Sequence, residues 1–404
     1  VKDLHLLLTK VSTGRFFVAA LMIAYVSTWL IESLTGVFLI DITSTFFGTP
    51  NSVKIAVASQ LVTISSIVSV VFGLFLGALS VKFSHKRLLI FGILCVTIGT
   101  LGCFLAPTFF FMQIFYPVEG IGTVAVSAMA FTLVGETLAL NRRPKATGWV
   151  LAGGPIASIA AAFVISLFFS NAGGWRLFLL WFALPISTIA LITVYFGIPS
   201  IRTATSNKIA YSSGFRLILR DKSSVSCLIA NMVRQAALAW TVIFIASFFR
   251  DQFGLPLSGA ALIVLGGTAV SAVGDIVGGH LVNTIGRKRL LIVTLTASSP
   301  FLALIAILPN FWTALAVSLC GIFIFNMGFP GSVNLTLEQA PKSRGTMMSL
   351  STVFVTFGLG LGAAVGGAAL AFFGSYTAAI LVFVAFQLCA ATIYYFFVKD
   401  PYRR

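Results

Sequence analysis

At 404 residues, with 58% hydrophobic side chains, only 9% charged ones and a mean hydropathy of +1.05, the chain falls outside the water-soluble class, where about 25% of residues are charged. Its net charge of +16 invites a nucleic-acid partner, but the basic residues are parcelled out in short segments between long apolar runs, so no such partner is expected. Inside a bilayer only helices and closed barrels satisfy the backbone; the apolar runs here are continuous rather than alternating, so the expected fold is an all-α integral membrane protein.

A helix needs about 20 apolar residues to cross the hydrocarbon core. In chain order such runs lie at roughly 16–43, 53–81, 88–107, 109–134, 147–169 and 177–197, then at roughly 224–249, 257–282, 290–308, 311–334, 346–373 and 376–398. These are twelve spans, six per half, and the expected domains are 1–197 and 223–404 joined by a linker at 198–222. Runs near 30 residues exceed the bilayer thickness, so tilt or extension beyond it is expected. No cleavable signal peptide is expected in Val1–Arg15, which is mixed polar and basic. In the linker, Tyr211–Arg220 can form a short helix on the membrane surface.

All but four of the 26 Lys and Arg fall on the side that holds the N-terminus; the exceptions are Lys54, Arg176 and Arg250 opposite, and Arg234 within a span. The positive-inside rule then places both termini in the cytoplasm, with the chain in the cytoplasmic membrane. The five cysteines, Cys95, Cys103, Cys227, Cys320 and Cys389, lie in spans without ligand spacing and read as packing rather than disulfides or metal ligands. His5, His85 and His280 form no ligand set, and no nucleotide-binding Gly-Lys-Ser/Thr loop exists to drive an ATP-powered pump. No enzyme, metal or cofactor is therefore expected, and no soluble domain marks a receptor or scaffold.

An internal repeat organises the chain. Gly77-Ala-Leu-Ser-Val-Lys-Phe-Ser-His-Lys-Arg87 and Gly279-His-Leu-Val-Asn-Thr-Ile-Gly-Arg-Lys-Arg289 lie 202 positions apart, each followed by a Leu-Leu-Ile opening of another apolar run. Arg143-Pro-Lys-Ala-Thr-Gly148 and Arg344-Gly-Thr-Met-Met-Ser349 repeat the relation at an offset of 201. Two landmarks at nearly one offset argue for a duplication of six-helix halves. Such repeats place a solute site at their interface near the bilayer midplane, with one half rocking against the other.

The basic hairpin between the second and third helices of each half resembles the signature of the major facilitator superfamily, and the resemblance covers the whole chain. Gly148 and Gly154-Pro155 in the fifth helix are similar to the family's antiporter motif, and the general pattern is that of the twelve-helix drug and metabolite efflux permeases of bacteria and archaea. The resemblance implies two pseudo-symmetric six-helix bundles and alternating access. It also implies a conformational latch at the hairpins, here Gly77, Lys86, Arg87, Gly279, Asn283, Gly286, Arg287 and Arg289. Glycines there allow close helix approach and the basic cluster holds the turn at the anionic leaflet; the same charges also serve as topology signals. Three positions depart from the pattern: Val81 and Asn283 replace the hairpin acid, and Tyr116 stands where the family carries an arginine tied to proton coupling.

Charge in the hydrocarbon core is expensive, so intramembrane ionisable residues are functional candidates. Glu32, Glu119, Arg234 and Asp275 qualify. Glu32 and Glu119 are the proton-coupling candidates, since a carboxylate that alternately faces two aqueous sides can take up and release a proton; the alternative for Glu32 is permanent pairing with Arg234. Arg234 can instead bind an anionic solute. Asp275, near the end of its span, is expected to cap or pair with the basic hairpin and joins the latch. The resemblance puts the first, fourth, seventh and tenth helices around the cavity, whose candidate lining is Trp29, Gln113, Tyr116, Arg234, Gln235, Trp240, Phe325 and Asn326. A carrier of small organic molecules is expected, driven by a proton gradient and most simply an exporter of drugs or metabolites. Uptake of an anionic metabolite by symport or facilitated diffusion is the competing expectation. One chain holds both halves, so a monomer suffices.

Overall fold

The computed structural model describes residues 2–138, 143–169, 174–198, 216–341 and 344–400, without the side chains of 2–15, 77–78, 81, 136, 143–145, 283 and 344–345. Twelve helices among these residues are long and apolar enough to cross a membrane. They are α1 (Lys2–Phe47), α2 (Ser52–Lys82), α3 (His85–Leu105), α4 (Phe109–Thr137), α5 (Arg143–Phe168) and α6 (Gly174–Gly197), then α7 (Lys222–Phe253), α8 (Leu257–Ile285), α9 (Arg287–Ile305), α10 (Phe311–Gln339), α11 (Arg344–Phe373) and α12 (Tyr376–Phe397). A short helix covers 216–220 of the linker; 211–215 lie outside the described residues.

Helix starts are fixed by side chains that accept backbone N–H groups: Ser84 from Arg87, Thr108 from Phe111, Asp221 from Ser224 and Asn310 from Trp312. The seventh span, expected to end near 249, runs on through Arg250-Asp251-Gln252 to Phe253, where Gly254 at φ 66° closes the helix in the left-handed conformation. In α6 the turn Leu179–Ala183 is π-helical, and Leu184 donates to the Leu179 carbonyl. Pro185 follows; its ring would crowd the carbonyl four residues back, which a widened turn relieves. A second π turn, Trp240–Phe244, interrupts α7. Serine and threonine hydroxyls within the spans return to carbonyls three or four residues back, as Ser27 does to Ala24 and Thr28 to Tyr25 at 2.7 Å each, so hydroxyls are satisfied without water.

The chain forms two compact units, 1–34 with 71–206, and 35–70 with 207–404. The core of the first unit joins Phe17, Leu21 and Tyr25 of α1 to Leu89 and Ile93 of α3, Val126, Met129 and Leu133 of α4, Val150 of α5 and Val194 of α6. Its α3 and α4 touch backbone to backbone: a Cβ on Gly122 would stand 2.5 Å from the Gly92 carbonyl oxygen, and one on Gly92 3.1 Å from the Gly122 oxygen. Small residues at such crossings replace the hydrophobic driving force that lipid does not supply.

The second unit gathers Leu228 and Val233 of α7, Leu291 and Leu295 of α9, Phe325 and Leu335 of α10, Leu350 of α11 and Tyr394 of α12. Here glycines of α11 admit α7: a Cβ on Gly358 would meet the Met232 carbonyl oxygen at 2.1 Å and one on Gly362 the Ala236 oxygen at 2.3 Å. The remote parts of α1 and α2 belong to this unit by the same means. Gly36 faces the Val242 carbonyl oxygen, Gly360 faces Ser66, and Thr63 Oγ1 donates to the Gly360 oxygen at 3.2 Å. Large apolar side chains such as Phe372, Phe196, Trp312 and Trp181 stand at least 70% exposed, a surface suited to lipid rather than water.

Candidate functional site

In the first unit the two acidic candidates lie within electrostatic reach of each other. Glu32 is half-buried on α1, and Glu119 on α4 is 5% exposed and near enough for the Glu32 charge to act on it. Two features hold Glu119. Thr123, one turn on, donates to its Oε1 at 2.6 Å. On the other side Gly99 of α3 leaves room for the Glu119 backbone, since a Cβ there would lie 2.8 Å from both its N and its Cβ. On the same helices, Tyr116 is buried, Gln113 half-buried, and Trp29 is a half-buried indole laid on Gly154, where a Cβ would come within 2.9 Å of the ring. The Gly154-Pro155 motif of α5 thus serves as the seat of Trp29; Gly148 faces open space.

In the second unit Arg234 of α7 is 3% exposed. Its guanidinium carbon lies 4.6 Å from the centre of the Phe325 ring and 5.6 Å from that of Phe329, a cation–π setting. Asp275 of α8 acts on it electrostatically. The expected pairing of Asp275 with the basic hairpin is not found among the described residues; the carboxylate sits one turn beyond Ser271, and its Oδ1 is buried without a hydrogen-bond partner. The reason is helical phase. Gly274 and Gly278 of α8 face α10, where Cβ atoms would stand 2.7 Å from the Phe323 oxygen and 2.0 Å from the Met327 oxygen.

One turn before Arg234, Asn231 donates to Thr336 at 2.8 Å and accepts from Tyr394 at 2.5 Å, tying α7 to α10 and α12. Asn326 donates to Ser271 at 3.1 Å and to the Ile322 carbonyl at 2.9 Å. Gln235 packs by its Cβ near Gly358. Trp240 packs with tilted rings against Phe248 and Phe383, its Nε1 is without a hydrogen-bond partner, and it borders a cavity of about 20 Å³ with Ser298, Ser318 and Gln387.

The two hairpins turn by different chemistry. Ser84 caps α3 with its side chain, whereas its counterpart Gly286 adopts φ 91° between α8 and α9. In both, the lysine two residues on reaches the last helix of its own half: Lys86 Nζ donates to the Tyr195 carbonyl at 2.8 Å and Lys288 Nζ to the Tyr395 carbonyl at 2.9 Å. Arg287 stands 4.0 Å from Glu338, and Arg87 and Arg289 are exposed. The close approach expected of Gly279 is made instead by Gly278; a Cβ on Gly279 would meet nothing within 4 Å. The side chains at Gly77, Val81 and Asn283 lie outside the described residues.

Sequence reading passed over Lys288, although its position in the repeat matches Lys86. It also passed over Asp41 and Arg250, which form a bidentate ion pair in the second unit, one arm at 3.1 Å from Arg250 Nη2 to Asp41 Oδ1. Their signal was an arginine on the sparsely charged side, Arg250, and an acid at the far end of the first span.

The family model of the Major Facilitator Superfamily matches residues 21–271 and 227–404. The chain belongs to this superfamily. It is 25% identical over 361 residues to a putative metabolite transport protein of Haemophilus influenzae, covering 85% of each chain. It is 24% identical over 308 residues to multidrug resistance protein 2 of Bacillus subtilis, covering 71% of this superfamily member and 73% of the relative. Its fold matches the crystal structure of a bacterial homolog of the human lysosomal transporter Spinster, with a TM-score of 0.80, 16% identity and coverage of 97% and 99%. As a superfamily member it is an integral membrane transporter of small solutes and not an enzyme.

Proposed function

We propose that this transporter couples the export of a small organic drug or metabolite to the entry of protons by alternating access, with Glu32 and Glu119 carrying the proton. The observation that carries the reading is that these two carboxylates lie within electrostatic reach of each other in the first unit, with Glu119 buried. Coulomb repulsion between two ionised carboxylates in low dielectric is relieved when one takes a proton, and opening to water on one side releases it. The multidrug relative supports the direction. Both termini are cytoplasmic in this reading, supported by the distribution of Lys and Arg, and a monomer suffices because one chain holds both halves.

A second reading, uptake of an anionic metabolite, is favoured by Arg234, a buried cation whose Nε and Nη2 are without partners. Purified protein in liposomes with an imposed pH gradient separates the two. Export coupling requires gradient-dependent movement of solute against its own gradient, lost in Glu32→Gln. Normal transport by Glu32→Gln under every gradient would remove the coupling role.

A further inference from the structure

Arg234 offers more than a positive charge. The two nitrogens left without hydrogen-bond partners, Nε and Nη2, form one edge of the guanidinium, with N–H bonds running side by side. That edge matches the two oxygens of a carboxylate, the geometry of bidentate recognition. Buried donors of a charged group are rarely left open, because their desolvation goes uncompensated. Phe325 and Phe329 flank the guanidinium and supply no acceptor.

The second open group is Asp275. Its charge acts on Arg234, yet no carboxylate oxygen lies within ion-pair distance of the guanidinium among the described residues, and Asp275 Oδ1 is itself buried and unpartnered. Neighbouring donors are already engaged. Asn326 Nδ2 is spent on Ser271 and the Ile322 carbonyl, and the Tyr394 hydroxyl on Asn231. A desolvated donor edge on α7 and a desolvated acceptor on α8 therefore stand open together in the second unit.

We propose that Arg234 and Asp275 form a solute subsite for a small organic acid that carries a hydroxyl or ammonium group beside its carboxylate. The carboxylate engages the Nε and Nη2 edge of Arg234, and the hydroxyl or ammonium donates to Asp275 Oδ1. A solute with only one of the two groups leaves a buried partner unmet, and that deficit is the source of selectivity. The inference rests on the carrier reading and is independent of transport direction and of proton coupling.

The test is equilibrium binding to the purified full-length chain in detergent, by thermal shift and calorimetry. The probes are lactate, mandelate, serine and phenylalanine, each beside its amide and the acid lacking the hydroxyl or amino group. At least one intact acid is expected to raise the melting temperature by several degrees, with its amide and its stripped counterpart binding at least tenfold more weakly. Arg234→Gln is expected to abolish binding and Arg234→Lys to keep a weak remnant, which guards against loss of fold in the first variant. Asp275→Asn is expected to keep carboxylate binding but erase discrimination against the stripped acid. Equilibrium binding in detergent needs no proton gradient, so a failure of proton coupling leaves this test intact. Absence of binding by all four acids, or binding that survives Arg234→Gln, overturns the proposal. So does an Arg234→Leu, Asp275→Leu double variant that melts higher and transports normally, because the two would then be an internal charge pair.

Discussion

Gly278 and Gly279 are neighbours at the start of the second hairpin motif, the first just before it and the second opening it, yet substitution by alanine is predicted to act in opposite directions. A Cβ on Gly278 would sit 2.0 Å from the Met327 carbonyl oxygen and 2.7 and 2.8 Å from its C and Cα, all backbone of α10 that no rotamer change can move. Restoring an ordinary contact requires α8 and α10 to part by more than about 1 Å or the backbone to shift locally, and overpacking of this kind costs about 1–3 kcal/mol. At roughly 2–4 °C per kcal/mol for a unit of this size, Gly278→Ala is expected to melt roughly 2–12 °C lower. A Cβ on Gly279 meets nothing within 4 Å, and alanine is the better helix former by up to about 1 kcal/mol, so Gly279→Ala is expected to melt at or slightly above the unaltered chain. Thermal denaturation in detergent, followed by fluorescence or by size-exclusion of heated samples, reads both. Equal losses in the two variants, or an unchanged Gly278→Ala, would refute the packing argument.

The paired lysine ties give a second test. Lys86→Met is expected to speed hydrogen exchange in the last turn of α6 near Tyr195, and Lys288→Met to do the same near Tyr395 in α12, each without effect on the other. For the ion pair between Asp41 and Arg250, whose side chains are 17% and 14% exposed, single neutralisation is expected to cost about 1–3 kcal/mol; in the double variant the cost is less than the sum, because no unpaired charge remains. A double-mutant cycle on melting reads this coupling, and strict additivity would count against it. Gly99→Val is expected to drive α3 from α4 at Glu119 and to weaken pH-gradient-dependent transport more than equivalent overpacking at Gly366, in the other unit. Equal effects at the two sites would detach Glu119 from coupling.

Much of the fold was legible because lipid imposes a simple rule. The twelve apolar runs reappear as helices, most with ends shifted by a few residues; α1 starts well before its run, at Lys2, and α7 runs on past its expected end to Phe253, where Arg250 pairs with Asp41 and Gly254 closes the helix. The candidate site was legible in part. Charge scarcity singled out Glu32, Glu119 and Arg234, and the structure sets the two acids within electrostatic reach of each other and leaves the arginine buried. Helical phase was harder. Asp275 and Gly279 lie within four residues of each other, and a turn of phase decides that Gly278, not Gly279, touches α10 and that Asp275 answers to Arg234 rather than to the hairpin. Apolar residues on all faces of a membrane helix give no amphipathic stripe from which to read that phase. Pairs distant in sequence, such as Asp41 with Arg250 and Asn231 with Tyr394, depend on tertiary packing that a repeat offset does not encode.

The coupling role of Glu32 and Glu119 is tested most directly by proton movement itself. In proteoliposomes loaded with a pH-sensitive dye, addition of transported solute without an imposed gradient is predicted to evoke a proton flux in the unaltered chain. That flux is predicted to vanish in Glu32→Gln and in Glu119→Gln while solute exchange at equal concentrations persists. A solute-evoked proton flux of undiminished size in the Glu32→Gln, Glu119→Gln double variant would contradict the account.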